Sequence, residues 1–429
     1  MNDSDSVRLL GFLREINYIR TDEAAKADFI VVNTCSIRDK AEQKVYSTLG
    51  RFKSLKLENP DLVIGVAGCV AQQNGEALLK RAPYLDVVIG THNIHRIKDI
   101  LHEVSVNKRR IAATEFSGGI DELEYARHPC EGQGETVKAP VGIMRGCDNF
   151  CAYCIVPYTR GSEASRKSAD IINEVSAIAE GGVKEVTLLG QNVNSYGAGT
   201  DESFPGLLRK VCRVPGIERV RFVTSHPKDF SEGLMRLFEE EEKLCPHVHL
   251  PAQSGSDEVL KRMRRGYTRA EYLEKIETLR RIRPDIAITS DIIVGFPGET
   301  ERAFRDTMDL INTVRYDNVF SFMYSPRPGT AAAGFDGQLR LEVKSERLQA
   351  LLSAQREISK EKNSLLVGKT LEVLVEGASK INTDEFSGRT TCGRVVNFPA
   401  RAAREAAPGM VRDVLITDAY PNSLRGMCC

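Results

Sequence analysis

Three cysteines spaced C-x-x-x-C-x-x-C constrain this chain more than any other feature. They are Cys147, Cys151 and Cys154, inside the run Met144-Arg145-Gly146-Cys147-Asp148-Asn149-Phe150-Cys151-Ala152-Tyr153-Cys154. Three thiolates from one short loop can hold a metal centre, but they cannot close a four-coordinate zinc site by themselves. A 4Fe–4S cubane held by three thiolates keeps one iron open, and an open iron can take a cofactor or substrate. The bland alternatives for this spacing are a zinc site completed by a distant ligand and unrelated core cysteines.

With 429 residues the chain is long enough for two or three domains. Its 59 basic and 59 acidic side chains balance, so net charge does not argue for a nucleic-acid partner, although a basic face can exist locally. No apolar run is long enough to span a bilayer, and no segment resembles a signal peptide. The other cysteines are scattered, which is not the pattern of a disulfide framework and places the chain in a reducing cytoplasm. There is no internal repeat.

Residues 1 to about 120 alternate helix and strand signals. Val7, Leu10 and Leu13 mark an amphipathic helix, Phe29–Val32 a strand, and a charged helix begins near Arg38. Leu62–Ala67 and Val87–Ile89 are further strands. Strand–helix alternation with short connections predicts an α/β fold with a doubly wound parallel sheet. Cys35 and Cys69 follow the C-terminal ends of two of its strands, the edge where ligands gather in open α/β sheets. A polar stretch, 121–138, reads as a linker. A second alternation then offers six strands: Val141–Arg145, Glu185–Leu189, Val220–Thr224, His247–Leu250, Ile286–Val294 and Val319–Tyr324. Such repeats predict a partial (β/α) barrel over 139–366, with its site at the C-terminal strand ends. The cysteine loop follows the first strand, and loops rich in Gly, Pro and hydrogen-bonding side chains follow the others. The last stretch, 367–429, has β-type alternation punctuated by Gly and Pro and predicts a small five-stranded barrel of the OB kind. Arg389, Arg394 and Arg425, near Phe398 and Tyr420, suit single-stranded nucleic acid on such a barrel. A solvated charged face is the other reading.

Over nearly its whole length the chain resembles the radical S-adenosylmethionine methylthiotransferases. The resemblance rests on Cys147–Arg160 (CDNFCAYCIVPYTR), Leu188–Asn194 (LLGQNVN), His249–Asp257 (HLPAQSGSD), Ser290–Thr300 (SDIIVGFPGET), Gly388–Phe398 (GRTTCGRVVNF) and Asn422–Gly426. It implies a first domain with an auxiliary 4Fe–4S cluster, a radical S-adenosylmethionine barrel and a C-terminal TRAM domain that binds tRNA. Cys147, Cys151 and Cys154 would hold the cluster that chelates S-adenosylmethionine, and Tyr153 would lie beside the adenine. The Gly190-Gln191-Asn192 loop would orient the methionine part, with Thr224, Gln253 and Ser254 in the cofactor or substrate wall. The branch most resembled adds a methylthio group at carbon 2 of isopentenyladenosine, position 37 of tRNA. The partners implied are the tRNA anticodon loop, a sulfur donor and an electron donor such as flavodoxin or ferredoxin, with the enzyme a monomer.

Two other activities fit the same architecture: methylthiolation of threonylcarbamoyladenosine in tRNA or of a ribosomal protein. A non-catalytic tRNA-binding iron–sulfur protein is the reading from another class. The auxiliary cluster of the family takes three cysteines, and Cys35 and Cys69 match the second and third. The first belongs to a Gly-Cys-Gln-Met-Asn type motif ending an initial strand. This sequence opens Met1-Asn2-Asp3-Ser4-Asp5-Ser6, which matches the continuation of that motif. The expectation is that the first strand and first ligand are absent here, either because the start was assigned at an internal methionine or through a true truncation.

Overall fold

The structure is a computed structural model, and it describes residues 2–34, 39–116, 136–380, 382–400 and 407–429. Cys35, Cys130 and nearly all of the linker therefore lie outside the described residues.

The N-terminal unit is a four-stranded parallel sheet in sequence order: β1 (Phe29–Thr34), β2 (Val63–Gly68), β3 (Val87–Ile89) and β4 (Ile111–Ala113). The fourth strand is too short to stand out in the sequence. Alternate side chains serve opposite faces. Val87 and Ile89 pack under the helices Asn2–Glu15 and Ile97–Asn107, whereas Val88 joins Val45, Leu49 and Leu78 on the other face. Helices on both faces explain why the strands read as nearly continuous apolar runs.

The central unit has six parallel strands, β5 (Lys138–Gly142), β6 (Glu185–Leu189), β7 (Arg219–Phe222), β8 (His247–His249), β9 (Ala287–Val294) and β10 (Asn318–Met323). They form two hydrogen-bonded groups, β5-β6-β7 and β8-β9-β10. Val220 joins them through Val220 N to Lys243 O (2.8 Å) and Cys245 N to Val220 O (3.0 Å). The first strand differs from the sequence reading. It begins at Lys138, and Met144–Arg145 leave it to pair with Ala164–Ser165 in a separate antiparallel ribbon. Gly142 and Gly146 are the breakpoints that an apolar-run reading joins into one strand.

Outward side chains such as Val186, Leu188, Val220, Phe222, Val248 and Ile288 pack on surrounding helices in one core. Alternate positions such as Thr187, Arg221, His249, Thr289 and Asp291 face inward and are polar. The helix Arg269–Ile282 shows how local chemistry sets this geometry. Thr268 accepts from the Glu271 amide while the Glu271 carboxylate accepts from Thr268 N (2.7 Å), a capping box. Such a cap contributes about 1 kcal/mol. It fixes the helix so that the Tyr272 hydroxyl reaches Leu250 O at 2.9 Å, at the end of β8.

The C-terminal unit is a closed five-stranded barrel: β11 (Thr370–Ala378), β12 (Glu385–Thr390), β13 (Val395–Pro399), β14 (Val411–Ala419) and β15 (Leu424–Cys428), in spatial order β11-β12-β13-β15-β14. Gly388 and Gly426 sit where a Cβ would meet a neighbouring carbonyl at 2.4 Å, so only glycine lets the strands close. Among the described residues no helix is long and apolar enough to cross a membrane.

Candidate active site

The cysteine loop leaves the end of β5 at the C-terminal mouth of the partial barrel. The ribbon Met144–Arg145/Ala164–Ser165 clamps its base. Gly146 turns the chain at φ +76°, where a Cβ would lie 2.0 Å from Ser162 O. Cys147 N donates to Gly161 O (3.2 Å) and Cys154 N to Cys151 O (2.9 Å), so the loop folds back on itself. Cys151 is buried, while Cys147 and Cys154 are half-buried. Asn149 Nδ2 lies 3.5 Å from the Cys147 sulfur.

Burial pushes the Cys147 thiol up. Burial, then the neighbouring Cys151, pushes Cys154 up to about 12. Bare thiolates are disfavoured here, and bound iron would offset both penalties. Among the described residues no three His, Cys, Asp or Glu side chains converge closely enough to hold a single metal ion. Three thiols on one short loop are one ligand short of a closed zinc site and suit a cubane that takes each thiolate on a different iron. The donor set fits a 4Fe–4S cluster.

The loops after successive strands are tied into a ring. Gly146 N donates to Gln191 Oε1 (2.6 Å), joining the loops after β5 and β6. Val193 N donates to Thr224 O (3.1 Å) and His226 N to Asn194 Oδ1 (2.9 Å), joining those after β6 and β7. Lys228 Nζ reaches back to Asn149 Oδ1 (2.9 Å). Ala152 N donates to Met263 O (2.9 Å), and Ala332 N to Ala152 O (2.8 Å).

The sequence-predicted cofactor residues fall on this ring with different surroundings. Gly190 packs on Met144, where a Cβ would meet the side chain at 2.5 Å. The Gln191 amide oxygen holds the cysteine loop. Asn192 is buried, donates to Asp229 Oδ2 (2.7 Å), and has an Oδ1 with no hydrogen-bond partner among the described residues. The buried Gln253 Oε1 also has no partner among them. Thr224 (φ +71°) and Gln253 (φ +67°) hold left-handed backbone that L-residues avoid, the more so for β-branched threonine. Strain of this kind gathers where a ligand must be met. Ser254 is turned away from such a role: its hydroxyl is 3.3 Å from Thr307 Oγ1 and accepts from Ser256 N (3.2 Å).

Two groups of residues were not legible as site residues. Arg265 lies between Arg264 (φ +58°) and Gly266 (φ +70°), a sharp turn that carries it inward to 4 % exposure. Its Nη1 is 3.4 Å from both the Cys151 sulfur and the Tyr153 hydroxyl. Burial drives the Tyr153 phenol well above its ordinary value, so it stays neutral. The second group is a row on the inner face of the barrel. His249 Nδ1 is 3.0 Å from Thr289 Oγ1, His249 Nε2 is 3.5 Å from Asp291 Oδ2, and the Phe320 ring meets the His249 ring edge-on at 5.9 Å. Register places Asp291 beside Phe320. Phe320 is 47 % exposed, on the strand that borders the open side. The period-two alternation His247-x-His249 and Thr289-x-Asp291 is the signal that marks this face.

The N-terminal sheet meets the far end of the cysteine loop. Thr91 Oγ1 donates to Thr159 O (2.6 Å), and the His92 ring nitrogen lies 2.9 Å from Arg160 O. Arg160 is buried and pairs with buried Asp5 at 2.5 Å. Burial opposes the Arg160 charge, but Asp5 and then the Cys69 sulfur more than offset it and raise its pKa. Cys69 is buried at the start of the helix Cys69–Asn74. Cys35, its expected co-ligand, lies outside the described residues.

The small barrel caps the opposite end, and its contacts sort the three predicted RNA-binding arginines. Arg394 pairs with Asp317 and donates to Asn363 Oδ1 (3.0 Å), so it ties the small barrel to the central unit. Arg389 faces Glu376 at 3.1 Å and is 40 % exposed, and Arg425 pairs with Glu385 and is 47 % exposed. Phe398 is fully buried in the small-barrel core, where no base can reach it, whereas Tyr420 is 49 % exposed.

Comparison with known proteins bears on all three units. Residues 141–311 match the Radical SAM superfamily, 1–90 the Uncharacterized protein family UPF0004, and 365–428 the TRAM domain. A protein of Geobacter metallireducens is 52 % identical over 428 residues, covering 99 % of this chain and 95 % of that one. One of Myxococcus xanthus is 49 % identical, covering 99 % and 91 %. Both are named tRNA-2-methylthio-N(6)-dimethylallyladenosine synthase. Among solved structures, the radical S-adenosylmethionine methyltransferase TsrM of Kitasatospora setae, with cobalamin and a [4Fe-4S] cluster bound, superposes with a TM-score of 0.55. It is 16 % identical over 71 % of this chain and 63 % of that one, a likeness of fold. At half identity over almost the full length of such relatives, this chain belongs to the family of tRNA-2-methylthio-N(6)-dimethylallyladenosine synthases.

Proposed function

We propose that the chain places a methylthio group on carbon 2 of dimethylallyladenosine in tRNA, using the cysteine loop as its radical S-adenosylmethionine site. The observation that carries this reading is the loop itself, three thiols at the C-terminal mouth of the six-stranded barrel, in a chain half identical to relatives so named. An aromatic C–H is too weakly acidic for a side-chain base, so the chemistry calls for a radical. A cluster held by Cys147, Cys151 and Cys154 supplies that chemistry when bound, by one-electron cleavage of S-adenosylmethionine.

The chain's own residues bind, orient and shield. The hydrogen-bonded loop ring holds the cysteines in place and keeps water out. Gln253 and Asn192 offer buried acceptors to the polar end of the cofactor, beside neutral Tyr153. The row Phe320, His249 and Asp291 receives the adenine. Stacking on an exposed aromatic is worth about 1–3 kcal/mol per base. A base in a single-stranded anticodon loop leaves its stack more cheaply than one in a duplex. Cys69, with Cys35, serves the auxiliary cluster. The enzyme acts as a cytoplasmic monomer, with a flavodoxin- or ferredoxin-type electron donor and a separate sulfur donor.

Two variants in a strain lacking the native gene test this. Cys151→Ala should abolish 5′-deoxyadenosine formation by the purified protein and remove the 2-methylthio nucleoside from tRNA by mass spectrometry. Cys69→Ala should keep cofactor cleavage and lose the nucleoside. An undiminished nucleoside level with Cys151→Ala would falsify the assignment of the site.

A further inference from the structure

We infer that Arg265 is a fixed countercharge for the cluster: its guanidinium donates to the Cys151 sulfur and favours the reduced, more negative state. The inference rests on the placement of a 4Fe–4S cluster on Cys147, Cys151 and Cys154.

The argument begins with an imbalance of charge. Arg265 is 4 % exposed, and among the described residues it forms no salt bridge. Its Nη2 donates to Pro251 O (2.9 Å) and its Nε to the Tyr267 hydroxyl (3.1 Å). Tyr267 donates its own O–H to Ala252 O (2.7 Å), so the phenol is a neutral acceptor for Arg265. Nη1 faces Tyr153 and Cys151. Each partner but one is a neutral oxygen, and the exception is a sulfur that becomes a thiolate on binding iron.

A buried guanidinium cannot shed its proton and is costly when no anion answers it. Three other buried arginines near the barrel ends are answered by carboxylates: Arg160 by Asp5, Arg221 by Glu185, Arg347 by Glu299. Arg265 lacks one at the place where three thiolates and a cluster would bring net negative charge. Hydrogen bonds to cluster sulfurs and nearby net charge are two of the levers that set a cluster's potential. One electron from a low-potential reductant enters the cluster, no bond is made or broken, and the added charge lies beside a cation already in position. Arg265 acts through the cluster and is a positioning residue.

The test uses the reconstituted full chain and an EPR-monitored redox titration with dithionite. Arg265→Gln should still bind iron, and its cluster should titrate at a more negative potential than wild type. Arg265→Lys, which keeps the charge without the guanidinium fork, should recover part of that shift. Pulsed EPR on wild-type protein labelled with 15N-arginine should show nitrogen coupled to the reduced cluster. That reading does not depend on any variant folding. A loaded Arg265→Gln cluster at the wild-type potential overturns the inference, as does the absence of a 15N coupling. A variant that loses only affinity for S-adenosylmethionine, at unchanged potential, overturns it too, by making Arg265 a cofactor ligand. Failure of the underlying site would look different: Cys151→Ala would keep the EPR signal of the three-cysteine cluster.

Discussion

The two ends of the barrel are both closed by buried arginines, but the charges are balanced differently. At the end capped by the small barrel, Arg219 faces Glu372 at 2.7 Å, Arg221 faces Glu185 at 2.9 Å and Arg394 pairs with Asp317. Each cation there has its carboxylate, and its neighbours across the interface are backbone carbonyls, as with Arg219 to Arg389 O and Arg221 to Thr390 O. Their charges are balanced within the protein, although Arg219 Nε and Arg221 Nη1 have no hydrogen-bond partner among the described residues. At the cysteine end Arg160 is balanced by Asp5, whereas Arg265 is not balanced by protein. Burial alone therefore does not mark a functional arginine. Arg265 differs in facing the Cys151 sulfur with no carboxylate partner among the described residues.

The comparison breaks first at Arg160. Its side chain and that of Asp5 are 6 % and 2 % exposed. Arg160→Met leaves the buried Asp5 with its looser Arg8 pair at 4.0 Å and should cost about 3 kcal/mol, the low end for breaking a buried pair. Hydrogen exchange in the helix Asn2–Glu15 reads this directly. Unchanged exchange in the single variant would mean that the pair is not what docks the N-terminal sheet on the cysteine loop.

Arg219 at the other end should give a smaller effect from a similar contact. Its partner Glu372 is 52 % exposed and can return to water when the cation is removed. Arg219→Met should cost about 1.5–3 kcal/mol, the range for hydrogen bonds to charged groups. The loss should appear as faster exchange in the turn 390–393, with the EPR signal of the cluster unchanged. A cost equal to that of Arg160→Met would show that partner exposure does not set the scale.

These contrasts also show what could be read from the chain alone. The cysteine loop, the six barrel strands and the five-stranded barrel were legible because spacing and alternation are local. Arg265 was not, because it meets Cys151 across 114 positions of sequence, by way of two left-handed residues that bend its segment inward. The inner row was half legible: alternation identifies His249 and Asp291 as one face, but not that Phe320 stands beside them. Arg394 and Phe398 had the right composition for RNA contact and the wrong environment. One is a tie to Asp317 and the other is core, and exposure is a property of packing that no residue type carries.

Arg425 gives the smallest and most specific effect on stability. Its guanidinium is paired with Glu385 yet 47 % exposed. Its partner Glu385 is only 11 % exposed, so Arg425→Ala leaves a buried acceptor unpaired. That should cost about 1 kcal/mol, the low end for such a loss. If the outer face of the small barrel meets the phosphates of the anticodon stem–loop, the same variant should weaken binding of that RNA whatever its base sequence. It should also flatten the slope of log affinity against log salt by about one. Arg394→Ala should do the reverse, loosening the small barrel from the central unit while leaving the salt slope unchanged once the reduced fraction of docked protein is allowed for. A flattened slope in Arg394→Ala and none in Arg425→Ala would exchange their roles. Phosphate contact would then lie along the seam between the two barrels and not on the outer face.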